Sequence, residues 1–321
     1  MAAPPAAPRP NPSPVSRLQQ PGPWDQDIVV YRVPEQGRAT ALATFERAGV
    51  ATIARLRDGR LVVAHQHFPA HQPDDFDKVA VRFSSDDGKS WTAPVVIRLR
   101  GLPEGMRFPF DPTLVPLADG RVRLYFTSLR GRRFEEATPA IYSAVSSDAV
   151  EYTVEPGMRF GIDDRPVIDC AVVLHHGVFH LYSPDNGRGF PPGGRRNDSQ
   201  SPADRPREGV AYHATSVDGL KFERADDVQI EGRRRWLGNA QSDGNTITFF
   251  GTGEGGIWTA TSTDGFRWTL GRTWGGFAAA DPGAIALEDR TLLVVGTSPP
   301  RPGTNSERRG RPPPPPRRAQ P

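Results

Sequence analysis

The sequence predicts an all-β chain folded as a β-propeller of five four-stranded blades, and three observations predict it. A unit made of an apolar run, an Asp-Gly-type turn and a second apolar run occurs five times. In four of the five units a further apolar run leads into a second turn of the form Ser-x-Asp. No stretch carries helical periodicity of useful length, so the repeats stand as hairpins throughout. Four short antiparallel strands repeated radially build a propeller.

Taken in order, the first strand is Asp27 to Val33, D-I-V-V-Y-R-V, a β-branched run that Pro34 closes. Unit one starts at Val50 (V-A-T-I-A-R-L-R-D-G-R-L-V-V-A-H), unit two at Asp111 (D-P-T-L-V-P-L-A-D-G-R-V-R-L-Y-F) and unit three at Asp169 (D-C-A-V-V-L-H-H-G-V-F-H-L-Y-S). Unit four starts at Arg235 (R-W-L-G-N-A-Q-S-D-G-N-T-I-T-F-F) and unit five at Asp281 (D-P-G-A-I-A-L-E-D-R-T-L-L-V-V-G). The first turns fall at Gly59, Gly120, Gly177, Gly244 and Arg290. The second turns are Ser84 to Trp91, Ser146 to Tyr152, Ser216 to Phe222 and Ser262 to Trp268. In each, an Asp carboxylate can cap nearby backbone amides, and in three of the four a glycine follows that accepts a positive φ. Unit five supplies only two strands before Pro299, while the strand at 27–33 has no partner of its own. A last blade completed by N-terminal strands accounts for both. Six blades is the alternative, if residues 24–46 and 281–297 belong to separate blades.

Composition bounds the rest. With 321 residues and 36% hydrophobic content the chain can bury a sizeable core. No apolar run approaches the roughly 20 residues of a membrane span. The start, M-A-A-P-P-A-A-P-R-P, lacks the pattern of a secretory signal, which leaves a secreted or periplasmic place open if the true start lies upstream. The single cysteine, Cys170, excludes an intrachain disulfide and a thiolate metal cluster, and its flanks mark it as an inert core thiol.

The net charge is +3, but residues 301–321 hold six Arg and one Glu, and residues 1–23 hold Arg9 and Arg17, leaving −4 for residues 24–300. Such a body has no reason to bind nucleic acid by bulk charge. The expected organisation is a Pro-rich disordered segment over 1–23, one propeller domain over 24–300 and a disordered Arg/Pro-rich tail over 301–321, acting as a monomer.

The stretch S-S-D-D-G-K-S-W resembles the Asp-box, or BNR repeat, of the sialidase superfamily, with Ser84, Asp86, Gly88 and Trp91 at its fixed positions. The shorter form at Ser216 and Ser262 resembles the turns of five-bladed glycoside hydrolases of the arabinanase, xylosidase and fructosidase group. The resemblance spans about residues 45–297. It implies a propeller with a carbohydrate or glycoconjugate as substrate and no required cofactor. Tyr31-Arg32-Val33-Pro34 is also similar to the sialidase motif that carries the first arginine of a carboxylate-binding triad, yet the inner strand it should open starts only at Val50.

In a propeller the first strand of each unit lines the axis, so its opening residues meet at one mouth. Aligning the units at the residue that opens the inner strand places Asp111, Asp169 and Asp281 in one position, with Val50 and Arg235 filling it in units one and four. Three converging carboxylates cannot all ionise cheaply, so at least one proton is retained or a cation sits among them. A protonated acid beside an ionised carboxylate is what glycoside hydrolysis requires. The hydrolases resembled present two Asp and one Glu, so Glu208 and Glu254 stand as further candidates for the acid. The competing reading of Asp111 and Asp281, each followed by Pro, is that they shape the start of the strand.

Candidate substrate contacts are Arg47, Arg235, Asp185 and the pair His65 and His67, which share one strand face. His175 and His176 are expected in an exposed turn. The longest irregular insertion, Asp185 to Glu208 with Phe190, lies between two strands of unit three. A glycosidase is the first functional reading, and a non-catalytic propeller that binds glycan or protein through its loops is the second.

Overall fold

Strands that are buried on both faces read as nearly continuous apolar runs, and the second strand of each unit is of this kind. In the computed structural model, which describes residues 23–299 apart from 37, 132–136, 164, 189–203 and 276–278, these runs form five small antiparallel sheets. The predicted 301–321 tail, all but Pro23 of the N-terminal segment, and most of the Asp185–Glu208 insertion with Phe190 lie outside the described residues.

Blade 1 comprises β3 (Ala48–Arg55), β4 (Leu61–His67), β5 (Lys78–Ser84) and β6 (Val95–Val96). Blade 2 comprises β8 (Phe110–Pro116), β9 (Val122–Ser128), β10 (Ala140–Ser146) and β11 (Glu151–Val154), with β7 (Arg98–Arg100) added in parallel outside β11. Blade 3 has β12 (Ala171–His175), β13 (Val178–Pro184) and β14 (Val210–Ser216), with two short pieces, β15 (Glu223–Arg224) and β16 (Val228–Gln229), sharing the edge of β14. Blade 4 is β17 (Arg234–Ser242), β18 (Ile247–Gly253), β19 (Gly256–Ser262) and β20 (Thr269–Trp274).

Blade 5 joins the chain ends, as expected. Its inner strands β21 (Ala280–Ala286) and β22 (Leu292–Thr297) continue into β1 (Ile28–Val33) and β2 (Thr40–Phe45). The pairing of β1 with β22 runs from Ile28↔Thr297 to Val33↔Leu292, and Ser298 N–H to Asp27 O (2.7 Å) extends it. The five-blade reading therefore stands over six.

Each interface between blades has its own apolar core. Val62, Ala64 and Val81 meet Leu114, Leu124 and Phe126 between blades 1 and 2, and Ile28, Val30 and Val295 meet Ile53 and Val63 between blades 5 and 1. Between blades 3 and 4 the core is aromatic: Trp236 packs edge-to-face on Phe249 (4.6 Å between ring centroids), Trp268 (5.2 Å) and Trp258 (5.3 Å). Pairs of this geometry contribute about 0.5–1.5 kcal/mol each beyond area burial.

The inner strands are also tied sideways by side chains. Leu114 N–H donates to Thr52 Oγ1 (3.3 Å), Thr113 Oγ1 to Cys170 O, and Asn239 exchanges two hydrogen bonds with the backbone of Ala284. These ties hold the strands that line the axis at fixed separation.

The four Ser-x-Asp turns join the third strand to the outer edge of blades 1 to 4. Ser Oγ donates to the Asp carboxylate two residues on, and accepts from the N–H of Gly88, Ala149, Gly219 or Gly265. Two of the turns are hydrogen-bonded to the preceding blade in a way the sequence does not announce. Tyr125 Oη donates to Gly219 O (2.8 Å), and Tyr182 Oη to Gly265 O (2.9 Å). At Gly265 (φ +78°) a Cβ would stand 2.4 Å from the His180 ring. Gly265→Ala is therefore expected to lower stability by about 1–3 kcal/mol in denaturant unfolding. A loss below about 0.5 kcal/mol, the range of a neutral surface change, would show that the turn does not clamp the blades.

Candidate active site

Antiparallel hairpins return each chain to the end where it began, so the starts of the five inner strands share one face with the connections between second and third strands. The Ser-x-Asp turns lie at the opposite face. At the start of β3, β8 and β21 the register slips, between Gly49 and Thr52, Phe110 and Thr113, and Ala280 and Gly283. The residue at the slip adopts a left-handed backbone: Val50 (φ 49°), Asp111 (50°) and Asp281 (47°), joined in blade 3 by Asp169 (63°). Asp tolerates this conformation through local polar contacts, whereas β-branched Val50 is strained there.

The strain is held by the preceding blade. Asp169 N–H donates to Thr127 Oγ1 (3.1 Å), Asp281 N–H to Thr252 Oγ1 (2.8 Å) and Val50 N–H to Thr297 Oγ1 (2.9 Å). These threonines were missed in the sequence. Their signal was nonetheless present, because a Thr recurs at or near the end of the second strand in Y-F-T-S, F-G-T-G and V-G-T-S. The backbones of these aspartates thus shape the start of the strand, and their side chains remain for other work.

The three carboxyl groups feel one another. Burial, then the charge of Asp281, pushes Asp111 up to about 7, against the opposing effects of Arg107 and of a hydrogen bond from Thr127. Arg107 is itself paired with Asp77 at 2.8 Å. Burial and the charges of Asp111 and Asp281 raise Asp169 well above the usual carboxylate range, with Arg235 opposing. Burial lifts Asp281 to about 6, again against Arg235. Among the described residues, no group of three or more His, Cys, Asp or Glu side chains is placed to hold a metal ion, so the expected alternative of a cation among the aspartates has no ligand set there.

Arg235 needs a correction of register. Asp243 N–H pairs with Thr246 O across a two-residue turn, whereas Leu117 N–H pairs with Arg121 O across a three-residue turn. Counting back through the ladders from these pairs places Leu237, not Arg235, opposite the position of Asp111. Arg235 lies two residues further out. Its guanidinium nevertheless acts on Asp169 and Asp281, because blade 4 stands between the blades that carry them. Nη2 donates to Asn186 Oδ1 at 2.5 Å.

The other candidates fall in several places. Glu254 lies in the β18–β19 turn and Glu208 just before β14, both on connections at the mouth face and both exposed. The Asp185 side chain is fully buried, accepting from Tyr212 Oη (2.7 Å), Gly187 N–H (2.8 Å) and Arg207 Nε, with Arg165 at 3.3 Å. It anchors the base of the insertion. Arg47 is tied to backbone, Nε to Phe68 O at 2.7 Å, and its N–H meets Asp27 Oδ1.

His65 and His67 share a face, but that face packs into the core between blades 5 and 1. His65 is fully buried, with its ring 5.9 Å from that of Phe45, and burial pushes it down to about 3. Burial lowers His67 as well. His175 is buried rather than exposed, bonded to Ser242 Oγ (2.8 Å) and Thr263 O (3.1 Å) of the next blade, while His176 is exposed.

No family model matches the chain, and no curated protein matches it. Solved structures share its fold. A GH43_1 enzyme from Xanthomonas citri, crystallised with xylotriose, superposes with a TM-score of 0.54 at 16% identity, covering 78% of this chain and 87% of that one. An α-L-arabinanase from Penicillium chrysogenum with arabinobiose gives 0.52 at 12% identity, covering 83% and 84%. A protein of unknown function from Dyadobacter fermentans gives 0.51 at 14% identity, covering 82% and 80%. At these identities the likeness is one of fold.

Proposed function

We propose that this chain is a glycoside hydrolase-like propeller that acts on a carbohydrate at the channel mouth. One observation carries the reading. Three carboxyl groups from separate blades, Asp111 buried and Asp169 and Asp281 half-buried, share one mouth, and their surroundings spread their proton affinities apart. Asp169, held well above the usual carboxylate range by its surroundings and by the charges of Asp111 and Asp281, serves as the acid. Asp281, beside Arg235, ionises first and serves as the base or nucleophile. Asp111, pushed up to about 7, tunes Asp169 through its charge.

The substrate class follows the neighbours only as a proposal: xylo- or arabino-configured sugars of the kind bound in the similar structures. A sialoside is less well served. Arg32 pairs with Asp289 in the β21–β22 turn, at the end of the blade away from the aspartates. The binding-only reading draws on the exposure of Glu208 and Glu254, which leaves no buried glutamate at the mouth among the described residues.

The test is a screen of aryl glycosides, including furanosides, xylosides and sialosides, followed by a pH profile of kcat/KM on the best substrate. Turnover that rises as the pH passes about 6 and falls as Asp169 loses its proton supports the assignment. Binding of oligosaccharide with no turnover across the set would give the site to the second reading.

A further inference from the structure

The strands that open at the mouth leave one cation beside two of the three aspartates, and its place is set from outside its own strand. Arg235 sits in blade 4, flanked around the axis by blade 3, which carries Asp169, and blade 5, which carries Asp281. Asp111 stands in blade 2, which does not adjoin blade 4. A long arginine side chain at a strand start has many rotamers, so a cation that must stay beside particular carboxylates needs a partner to hold it.

We infer that Asn186 is a positioning residue, which holds the Arg235 guanidinium beside Asp169 and Asp281 and so determines which aspartates of the trio carry charge. The inference rests on the trio being the working site.

Two contacts of Asn186 and the frame around it argue for this. Asn186 Oδ1 accepts from Arg235 Nη2 at 2.5 Å. Asn186 Nδ2 donates to Ile168 O at 3.3 Å, the carbonyl immediately before Asp169. One amide therefore bridges the backbone beside Asp169 to the guanidinium, with donor and acceptor ends in the only assignment that satisfies both. The amide is itself fixed, because its neighbour Asp185 is locked by Tyr212, Gly187 and Arg207, and Arg188 N–H closes the base of the insertion on Asp204 O at 2.9 Å. The insertion thus begins with a frame whose first free side chain points the cation. Arg235 opposes the upward push of burial on both Asp169 and Asp281, as this placement requires.

The experiment reads the carboxyls directly, without substrate. The full chain, labelled at aspartate Cγ with carbon-13, is titrated by NMR, and Asp281 is assigned by the signal lost in Asp281→Asn. Arg235→Met is expected to move the Asp281 midpoint up by about one pH unit, the size of losing a close opposite charge. Asn186→Leu is expected to move it in the same direction, and the Arg235 Nε–H signal, held in the wild type, is expected to become that of a freely rotating side chain. Asn186→Ser serves if the leucine variant does not fold.

Should the Asn186 variants leave the Asp281 midpoint in place while Arg235→Met moves it, Asn186 is a loop residue only. Should Arg235→Met leave it in place, the cation does not act on the pair, and the inference also fails. A glycoside screen without turnover would overturn the reading of the site, yet these titrations would still report whether Asn186 holds Arg235.

Discussion

Asp169→Asn is expected to lower kcat/KM on the responsive glycoside by about 10²–10⁴-fold, the usual contribution of a positioned acid. The substitution keeps the shape and the Thr127 latch, since that bond is made by the backbone N–H of residue 169. What it removes is the proton. Stability should move the other way. A carboxyl whose proton affinity is raised on folding favours the folded state below its unfolded value and loses that contribution as pH rises through the folded one. Above that range, Asp169 bears the cost of a buried charge among Asp111 and Asp281. Asn relieves it, so unfolding at alkaline pH should need as much denaturant as the wild type or more. Turnover above one tenth of wild type would remove Asp169 from the acid role, and a marked loss of stability would make it a structural residue.

Glu155→Ala is expected to cost about 3–5 kcal/mol of stability, because it leaves a buried guanidinium without its counter-charge. The side chains of Arg123 and Glu155 are only 7% and 15% exposed. Nη2 donates to Oε1 at 2.9 Å, Nε lies 2.9 Å from Oε2, and Ser143 Oγ donates to the same carboxylate at 2.6 Å. Arg123 Nη1 continues to Asp218 O (3.0 Å) in the Ser-x-Asp turn of blade 3, and Arg159 reaches Leu220 O (2.9 Å) in the same turn. The network joins blades 2 and 3. A double variant, Arg123→Met with Glu155→Met, should be more stable than Glu155→Ala, since it removes the orphaned charge along with its partner. Denaturant unfolding decides the matter. A single variant within about 1 kcal/mol of wild type would show a pair that behaves like an exposed one.

The misreadings share a physical cause. Period-2 alternation correctly placed His65 and His67 on one side of a strand, but both sides of a propeller strand can face a neighbouring blade. Whether a side is core or channel depends on chain that is distant in sequence: the ring beside His65 is Phe45, which belongs to blade 5. The offset of Arg235 has a similar origin. A turn one residue shorter changes which residues pair, and pairing is settled by the neighbouring strand rather than by the position of Asp-Gly. Asn186 had no local signal, for its role is a contact with a residue 49 positions away.

The sequence by itself determined the hairpin repeat, the four-stranded unit and the recurrence of Asp111, Asp169 and Asp281 at strand starts, and it favoured five blades closed by N-terminal strands over six, a choice that the pairing of β1 with β22 decided. These are matters of turn chemistry and apolar alternation, which act between near neighbours in the chain. Only the tertiary structure decided which charges accompany the aspartates, how far burial raises each, and which candidates are core. Proton affinity and burial are set by whatever the other blades bring within a few ångströms, and that proximity is created by closing the ring.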